Sequence, residues 1–218
     1  MKKKFKILIF TDLDGSLLHR ETFKFDEIKD YLNQLISKGI IIVANTSKTE
    51  KEILEFNNEL GSNLPYISEN GASIKGLDLL NSNLPRELIL SREKDNLIKI
   101  FEKSVPINLQ NQCKWISKMD KKKQSLIFGL KNKKLNMALD RKYTIPFVFE
   151  GNKSEKNDLS KIVKKKGLAL QEGGRVINLS DKVNKGKALQ IFVRFFKKNN
   201  NRVKSIAVGD NYNDLDML

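Results

Sequence analysis

Two carboxylates stand one residue apart in Asp12-Leu13-Asp14-Gly15-Ser16, directly after an apolar run. A carboxylate held at the end of a buried strand can attack phosphorus and form an aspartyl-phosphate. A second carboxyl two residues on can protonate the leaving oxygen and later deprotonate water. Gly15 lets the chain turn so that backbone N–H groups face a phosphate. The same residues could make a plain polar turn or open a calcium loop. The calcium loop is excluded, because its ligand pattern ending in Glu is absent after Gly15.

Three further segments carry compatible chemistry. Thr46-Ser47-Lys48 follows a second apolar run. Its hydroxyls and N–H groups suit a phosphate at a helix start, or they cap the helix with Glu50 or Lys51 in its first turn. Lys185, in Asn184-Lys185-Gly186-Lys187, comes just before a helical pattern. It could neutralise charge on a nucleophile and a phosphoryl group. Lys187 competes for that role, and either lysine could simply be solvated. Gly209-Asp210-Asn211-Tyr212-Asn213-Asp214 follows the last apolar run. Acid-rich turns of this kind suit Mg²⁺, which takes a few carboxylates and keeps several waters, and an Asx-rich turn uses the same residues. Two acidic loops after two different strands point to one phosphate-and-metal site.

The elements that must position these residues follow from periodicity. Residues 5–11 and 40–45 are short apolar runs bounded by polar turns, and they read as strands buried on both faces. Helices are expected over 25–38 and 49–60, each ending on a glycine, with a third strand near Pro65 to Ser68. This alternation predicts an open, parallel, Rossmann-like α/β sheet. From about 84 to 179 the rhythm changes. Strands are expected at 125–130, 145–150 and 175–179, and helices near 93–103, 132–141 and 154–166, as in an α+β insertion. A helix over 186–198 and a buried strand over 204–208 complete the core. The expected domains are a core of 1–83 with 180–218 and an inserted domain of 84–179.

Composition narrows the classes. The chain of 218 residues has an apolar fraction of 39% and a formal charge of +15. A chain of this size can bury a sizeable core. The charge admits an anionic partner. However, Lys121–Lys123 and Lys164–Lys166 lack interleaved aromatics that could stack on bases, so no nucleic-acid partner is expected. The single Cys113 excludes an internal disulfide and a multi-cysteine metal site, as in a protein of a reducing compartment. Met1-Lys2-Lys3-Lys4 and the apolar residues after it imitate a signal peptide, but the apolar run stops at Phe10. That is too short for a signal core or a membrane span. A cytoplasmic location without a membrane partner is expected, and the oligomeric state is left open.

The four segments, in this order, resemble the motifs of the haloacid dehalogenase superfamily of phosphatases. The resemblance implies Asp12 as nucleophile, Asp14 as general acid/base, Thr46 with Ser47 as phosphate binders and Lys185 as the neutralising lysine. It implies Mg²⁺ as cofactor, held by Asp12, the backbone carbonyl of Asp14 and Asp210, with Asp214 at or behind the metal shell. Asn70, Gly71 and Asn213 join as substrate or phosphate contacts. The insertion after Ser68-Glu69-Asn70-Gly71-Ala72 resembles the large α/β cap of sugar-phosphate members. Thr46-Ser47-Lys48-Thr49, Arg141-Lys142-Tyr143 with Pro146-Phe147, and Gly173-Gly174-Arg175 are similar to the mannosyl-3-phosphoglycerate phosphatase family. This implies a phosphorylated sugar derivative as substrate, mannosyl-3-phosphoglycerate or its glucosyl analogue, with Arg175 reaching its carboxylate or phosphate. Arg175 reads equally as a surface residue at a strand start. A broad sugar-phosphate phosphatase is the rival within enzymes; a non-catalytic fragment or an anion-binding protein is the rival outside them. The sequence departs from the superfamily at its end. Members continue past the segment equivalent to Asp214–Leu218 with another strand and helices, so a truncated core with an exposed strand at 204–208 is expected.

Overall fold

The computed structural model describes residues 5–173, 175–198 and 202–218. The readings that fall on Met1–Lys4, on Gly174 and within the polar run Lys197–Arg202 at 199–201 therefore lie outside the described residues. The chain divides into two compact units, one up to Leu90 and from Asn184 to Leu218, the other Ser91–Val183.

The first unit is built on β1 (Lys6–Thr11), α1 (Asp26–Ser37), β2 (Ile41–Asn45), α2 (Glu50–Leu60), β3 (Tyr66–Ser68), β4 (Ser73–Lys75) and β5 (Glu87–Ile89). The chain returns to it later, through the helix Lys185–Lys197 and the strand Val203–Val208. These strands form one six-stranded sheet in which Val203–Val208 lies beside β1, followed by β2, β3, β4 and β5. The first four in that order run parallel, and β4 and β5 are added antiparallel.

The two faces of the sheet explain the apolar runs. On β2, Ile42 and Ala44 enter one core with Leu13, Phe25, Leu32, Ile53 and Phe56, beneath α1 and α2. Val43, between them, enters the opposite core with Leu8, Phe10, Ile67, Phe192 and Phe196, beneath the helix Lys185–Lys197. A strand covered on both faces has no polar side to alternate with. Phe10 meets Phe192 edge to face at 5.3 Å between ring centroids, a favoured aromatic geometry.

The second unit contains α3 (Lys94–Ser104), α4 (Ile107–Gln112), β6 (Cys113–Trp115), α5 (Lys121–Phe128), α6 (Asn132–Leu139), β7 (Thr144–Phe149), α7 (Lys153–Lys165), β8 (Leu168–Glu172) and β9 (Ile177–Asp181). Continuing the same numbering, the two returning elements of the first unit are α8 (Lys185–Lys197) and β10 (Val203–Val208). The four-stranded sheet has the order β6-β7-β9-β8, antiparallel throughout. Phe101 and Leu97 of α3, with Leu159 and Val163 of α7, pack on Phe147 and Leu179 of the sheet. Trp115 sits between Phe101 and Phe147, at 5.1 and 5.3 Å. Cys113 is buried in this core, and burial pushes its thiol up to about 12.

Two expectations change. Residues 125–130 do not form a strand: 121–128 is α5, followed by Gly129 with φ of 66°. Asp120 caps α5 by accepting from the Lys123 N–H at 2.8 Å, which starts the helix ahead of the apolar Leu126-Ile127-Phe128. Residues 204–208 belong to β10, and the expected exposed edge strand is found there. It pairs with β1 alone among the described residues, and Ile206 and Val208 are 51% and 42% exposed. The borders between the units lie at Leu90/Ser91 and Val183/Asn184. The borders read from the sequence, 83/84 and 179/180, fall before β5 and inside β9. Among the described residues, no helix is long and apolar enough to cross a membrane.

Candidate active site

Asp12 is the first residue past β1, where the parallel ladder ends. Its N–H donates to the Val208 carbonyl at 3.0 Å, and the residue is 5% exposed. The chain then folds back tightly. The Leu13 carbonyl accepts from the N–H groups of Leu17 and Leu18 at 3.1 and 2.7 Å, and the Gly15 N–H donates to the Leu18 carbonyl at 2.9 Å. Gly15 has φ of 81°, and a Cβ there would collide with the carboxylate of Asp210. The residue is therefore glycine for two reasons, its backbone conformation and the close approach of the second acidic loop.

Lys185, the first residue of α8, is fully buried. Its ammonium lies 3.0 Å from Asp12 Oδ1 and 2.6 Å from Asp214 Oδ1. Its own carbonyl accepts from Asn45 Nδ2 at 3.1 Å, which anchors the start of α8 to the end of β2. Lys187 is exposed, and its N–H donates to the Asn184 side chain that caps the helix. The structure thus separates the two candidate lysines.

Asp214 is fully buried. Its Oδ2 accepts from the N–H groups of Asp210 and Asn211 at 3.1 and 3.0 Å, while Oδ1 takes the Lys185 ammonium. Both oxygens are thus engaged, and Asp214 ties the 210–214 loop to α8. The carboxylate of Asp210 is the more exposed one. Carboxylate oxygens of Asp12, Asp210 and Asp214 lie within 4.8 Å of one another. Partial burial holds the Asp210 carboxyl above its usual range, and the negative charges of Asp12 and Asp214 push it further the same way. Mutual repulsion of this kind is relieved by a cation. The donors are hard oxygens with no His or Cys among them, which fits Mg²⁺ rather than a softer ion. Asp12 and Asp210 have the freer oxygens for it.

The remaining predicted residues of the first unit fall around this cluster. Thr46, at the end of β2, is fully buried, and its N–H donates to the Ile67 carbonyl at 3.0 Å. Ser47 is half-buried beside it. Thr46 does not cap α2. Thr49 does, in a reciprocal pair with Glu52. Asn70 and Asn213 are joined at 3.2 Å, which links the 69–71 loop to the 210–214 loop. Glu69, Asn70 and Gly71 all have positive φ, at 47°, 59° and 96°. Two consecutive non-glycine residues in that region are uncommon and cluster at functional sites. A Cβ on Gly71 would strike the Asn184 carbonyl, so this glycine lets the loop pack against the segment that carries Lys185. Arg175 belongs to the second unit, where its guanidinium donates to the Phe128 carbonyl beside Gly129.

The sequence reading missed Lys48. This side chain is buried, and its ammonium lies 2.9 Å from Asp14 Oδ1 and 3.3 Å from Glu52 Oε1. Burial pushes the Asp14 carboxyl above its usual range; Lys48 opposes this, and Asp12 and Glu52 reinforce it. Burial works against the Lys48 ammonium, but Glu52 and Asp14 outweigh it and hold the lysine above its ordinary value.

Known proteins share the sequence pattern and the fold of this chain. A family model described as haloacid dehalogenase-like hydrolase matches residues 9–218. The chain is 34% identical, over 97% of its length and 81% of the relative's, to a glucosyl-3-phosphoglycerate/mannosyl-3-phosphoglycerate phosphatase of Persephonella marina. It is 27% identical, over 97% of its length and 86% of the relative's, to a mannosyl-3-phosphoglycerate phosphatase of Pyrococcus horikoshii. Among solved structures, a haloacid dehalogenase-like hydrolase of B. subtilis superposes with a TM-score of 0.68 at 19% identity, covering 96% of this chain and 85% of that one. The sucrose-phosphatase of Synechocystis superposes with a TM-score of 0.60 at 14% identity, covering 98% and 79%. With a family model matched from the fourth residue of β1 to the last residue of the chain, and its acidic loops gathered at the ends of β1 and β10, the chain belongs to the haloacid dehalogenase-like hydrolases.

Proposed function

We propose that the chain is a Mg²⁺-dependent phosphatase that hydrolyses a glycosyl-3-phosphoglycerate, mannosyl or glucosyl, through an aspartyl-phosphate on Asp12. The observation that carries this is the convergence of Asp12, Lys185, Asp210 and Asp214 where the parallel strands end, the usual place for a site in an open α/β sheet. The glycosyl-phosphoglycerate substrate is supported by the names of the relatives at 27–34% identity.

In this reading Asp12 attacks the phosphorus in line with the leaving oxygen. Asp14 gives its proton to that oxygen, then takes one from the water that hydrolyses the aspartyl-phosphate. Lys185 offsets the charge on Asp12, and Thr46 with Ser47 faces the phosphoryl oxygens. Asn70 and Gly71, held against Asn213 and Asn184, shape the adjoining loop, in which the Asn70 N–H donates to the Thr46 carbonyl at 3.0 Å. Mg²⁺ would be held by Asp12, Asp210 and the carbonyl of Asp14, with Asp214 behind them, and would neutralise phosphoryl charge as the carboxylate approaches. The unit Ser91–Val183 would serve as the cap that selects the sugar and excludes water.

The test is a substrate screen with Mg²⁺ over glycosyl-3-phosphoglycerates and hexose phosphates. The expected kcat/KM ratio favours the former by roughly a hundredfold; equal values would make the chain a broad sugar-phosphate phosphatase. Chelation with EDTA should abolish turnover, Mg²⁺ should restore it, and Mg²⁺ alone should raise the melting temperature by binding the folded state. Full activity after exhaustive chelation is incompatible with the metal assignment.

Gly15→Ala tests the packing of the two acidic loops. The methyl group would push on Asp210 in a backbone conformation that disfavours it. A displacement of about 1 Å in such a site can cost on the order of a hundredfold in rate. The measurement is kcat on an aryl phosphate at saturating Mg²⁺. A loss of less than about twofold would show that the loops tolerate the shift.

A further inference from the structure

We propose that Lys48 is a positioning residue for Asp14, fixing which of its oxygens carries the transferred proton. This rests on the reading of Asp14 as the general acid/base of a phosphatase. The Lys48 ammonium sits 2.9 Å from Asp14 Oδ1. Its other side is braced by Glu52 Oε1 at 3.3 Å and by the Phe23 ring, whose centroid is 5.1 Å away. Glu52 is itself fixed, because its Oε2 accepts from the N–H and hydroxyl of Thr49 at 2.9 and 3.0 Å. A continuous chain of polar contacts thus runs from the first turn of α2 through Glu52 and Lys48 to Asp14.

The contact has a chemical consequence. An ammonium donates and cannot accept, so a proton on Oδ1 would face another donor. Oδ1 is therefore the oxygen that stays bare, and Oδ2 carries the proton. In the first step Asp12 forms a bond to phosphorus, and the bond to the leaving oxygen breaks with its electron pair. The leaving oxygen takes the proton from Oδ2 of Asp14 and departs as an alcohol. In the second step water attacks phosphorus and gives one proton to Oδ2. The bond from phosphorus to Asp12 breaks, which returns the Asp12 carboxylate and releases phosphate. Lys48 loses and gains nothing. Its work is to hold one rotamer of a carboxylate that otherwise sits on a turn fixed by its backbone.

Such a role has a signature that a purely structural lysine lacks. Protonation of the leaving oxygen matters greatly for an alkyl alcohol and little for an acidic phenol. Lys48→Met in the full chain is expected to lower kcat/KM roughly a hundredfold on an alkyl phosphate, the lower range for loss of general acid catalysis. On p-nitrophenyl phosphate the expected loss is less than about tenfold. Lys48→Arg should recover part of the alkyl activity. In an Asp14→Asn background, Lys48→Met should cost almost nothing more, because both changes act through one group. If methionine at 48 prevents folding, as judged by circular dichroism, Lys48→Gln keeps the length without the charge and takes the same test. Equal losses on both phosphates, or a full further loss in the Asp14→Asn background, would overturn the assignment. A wild-type chain that hydrolyses neither phosphate overturns the phosphatase reading and this one with it. A wild-type chain that hydrolyses both, with no substrate dependence in the variant, overturns this one alone.

Discussion

Asp12→Asn is expected to abolish turnover while leaving the fold intact. The amide has nearly the same shape as the carboxylate but is a far poorer nucleophile. The loss should exceed a thousandfold, which corresponds to at least ~4 kcal/mol of barrier. Folding should survive because Lys185 keeps Asp214 as partner at 2.6 Å and because one of three crowded carboxylates becomes neutral. The measurement pairs kcat on an aryl phosphate with near-ultraviolet circular dichroism. Acid-quenched wild type, analysed during turnover, should carry a phosphate adduct on the peptide containing Asp12, and the variant should not. Retention of more than about a thousandth of the rate would remove Asp12 from the role of nucleophile.

Sequence and structure agree most closely where an element is long and buried on both faces. β1, β2, α1 and α2 could be read from apolar runs and periodicity because the sheet hides both faces of its central strands. Asp12 follows β1 directly and Asp210 follows β10 after Gly209, so finding the strands finds the acidic loops, even though β10 is an exposed edge. The failures are local in cause. β4, β5 and β6 have three residues each, too few to display an alternating pattern, and they exist through the strands they pair with. The strand expected at 125–130 was an error of weighting, since Asp120 and Gly129 bracket a helix. The true cap of α2 was visible as Thr49-Glu50-Lys51-Glu52, a reciprocal capping pattern. Recognising it would have freed Thr46 from the capping role. Lys48 was hidden for a deeper reason. Nothing in a lysine-rich sequence separates a solvated ammonium from one buried against Asp14, because that contact exists only after β1 and β2 are paired.

Lys185→Met is expected to cost both stability and turnover, and the two losses should be separable. The ammonium is fully buried and shared by Asp12 at 3.0 Å and Asp214 at 2.6 Å. Removing one partner of a buried ion pair typically costs about 3–5 kcal/mol, because the other charge is left without compensation. Here two carboxylates are left, with Asp210 close by. Stability in EDTA should therefore fall by at least that much, measured by denaturant unfolding. Added Mg²⁺ should recover more stability in the variant than in the wild type, since a cation then meets an unrelieved acidic cluster. Turnover should stay more than a thousandfold down even in Mg²⁺, because Asp12 would lack its neutralising partner as it approaches an anionic phosphoryl group. Adding Asp214→Asn to Lys185→Met removes one stranded charge while leaving an acceptor for the N–H groups of Asp210 and Asn211. The double variant should be more stable than Lys185→Met alone yet equally inactive. If Lys185→Met unfolds at the wild-type denaturant concentration, or if the second substitution adds its own full penalty, the lysine is not the buried counter-charge that the geometry describes.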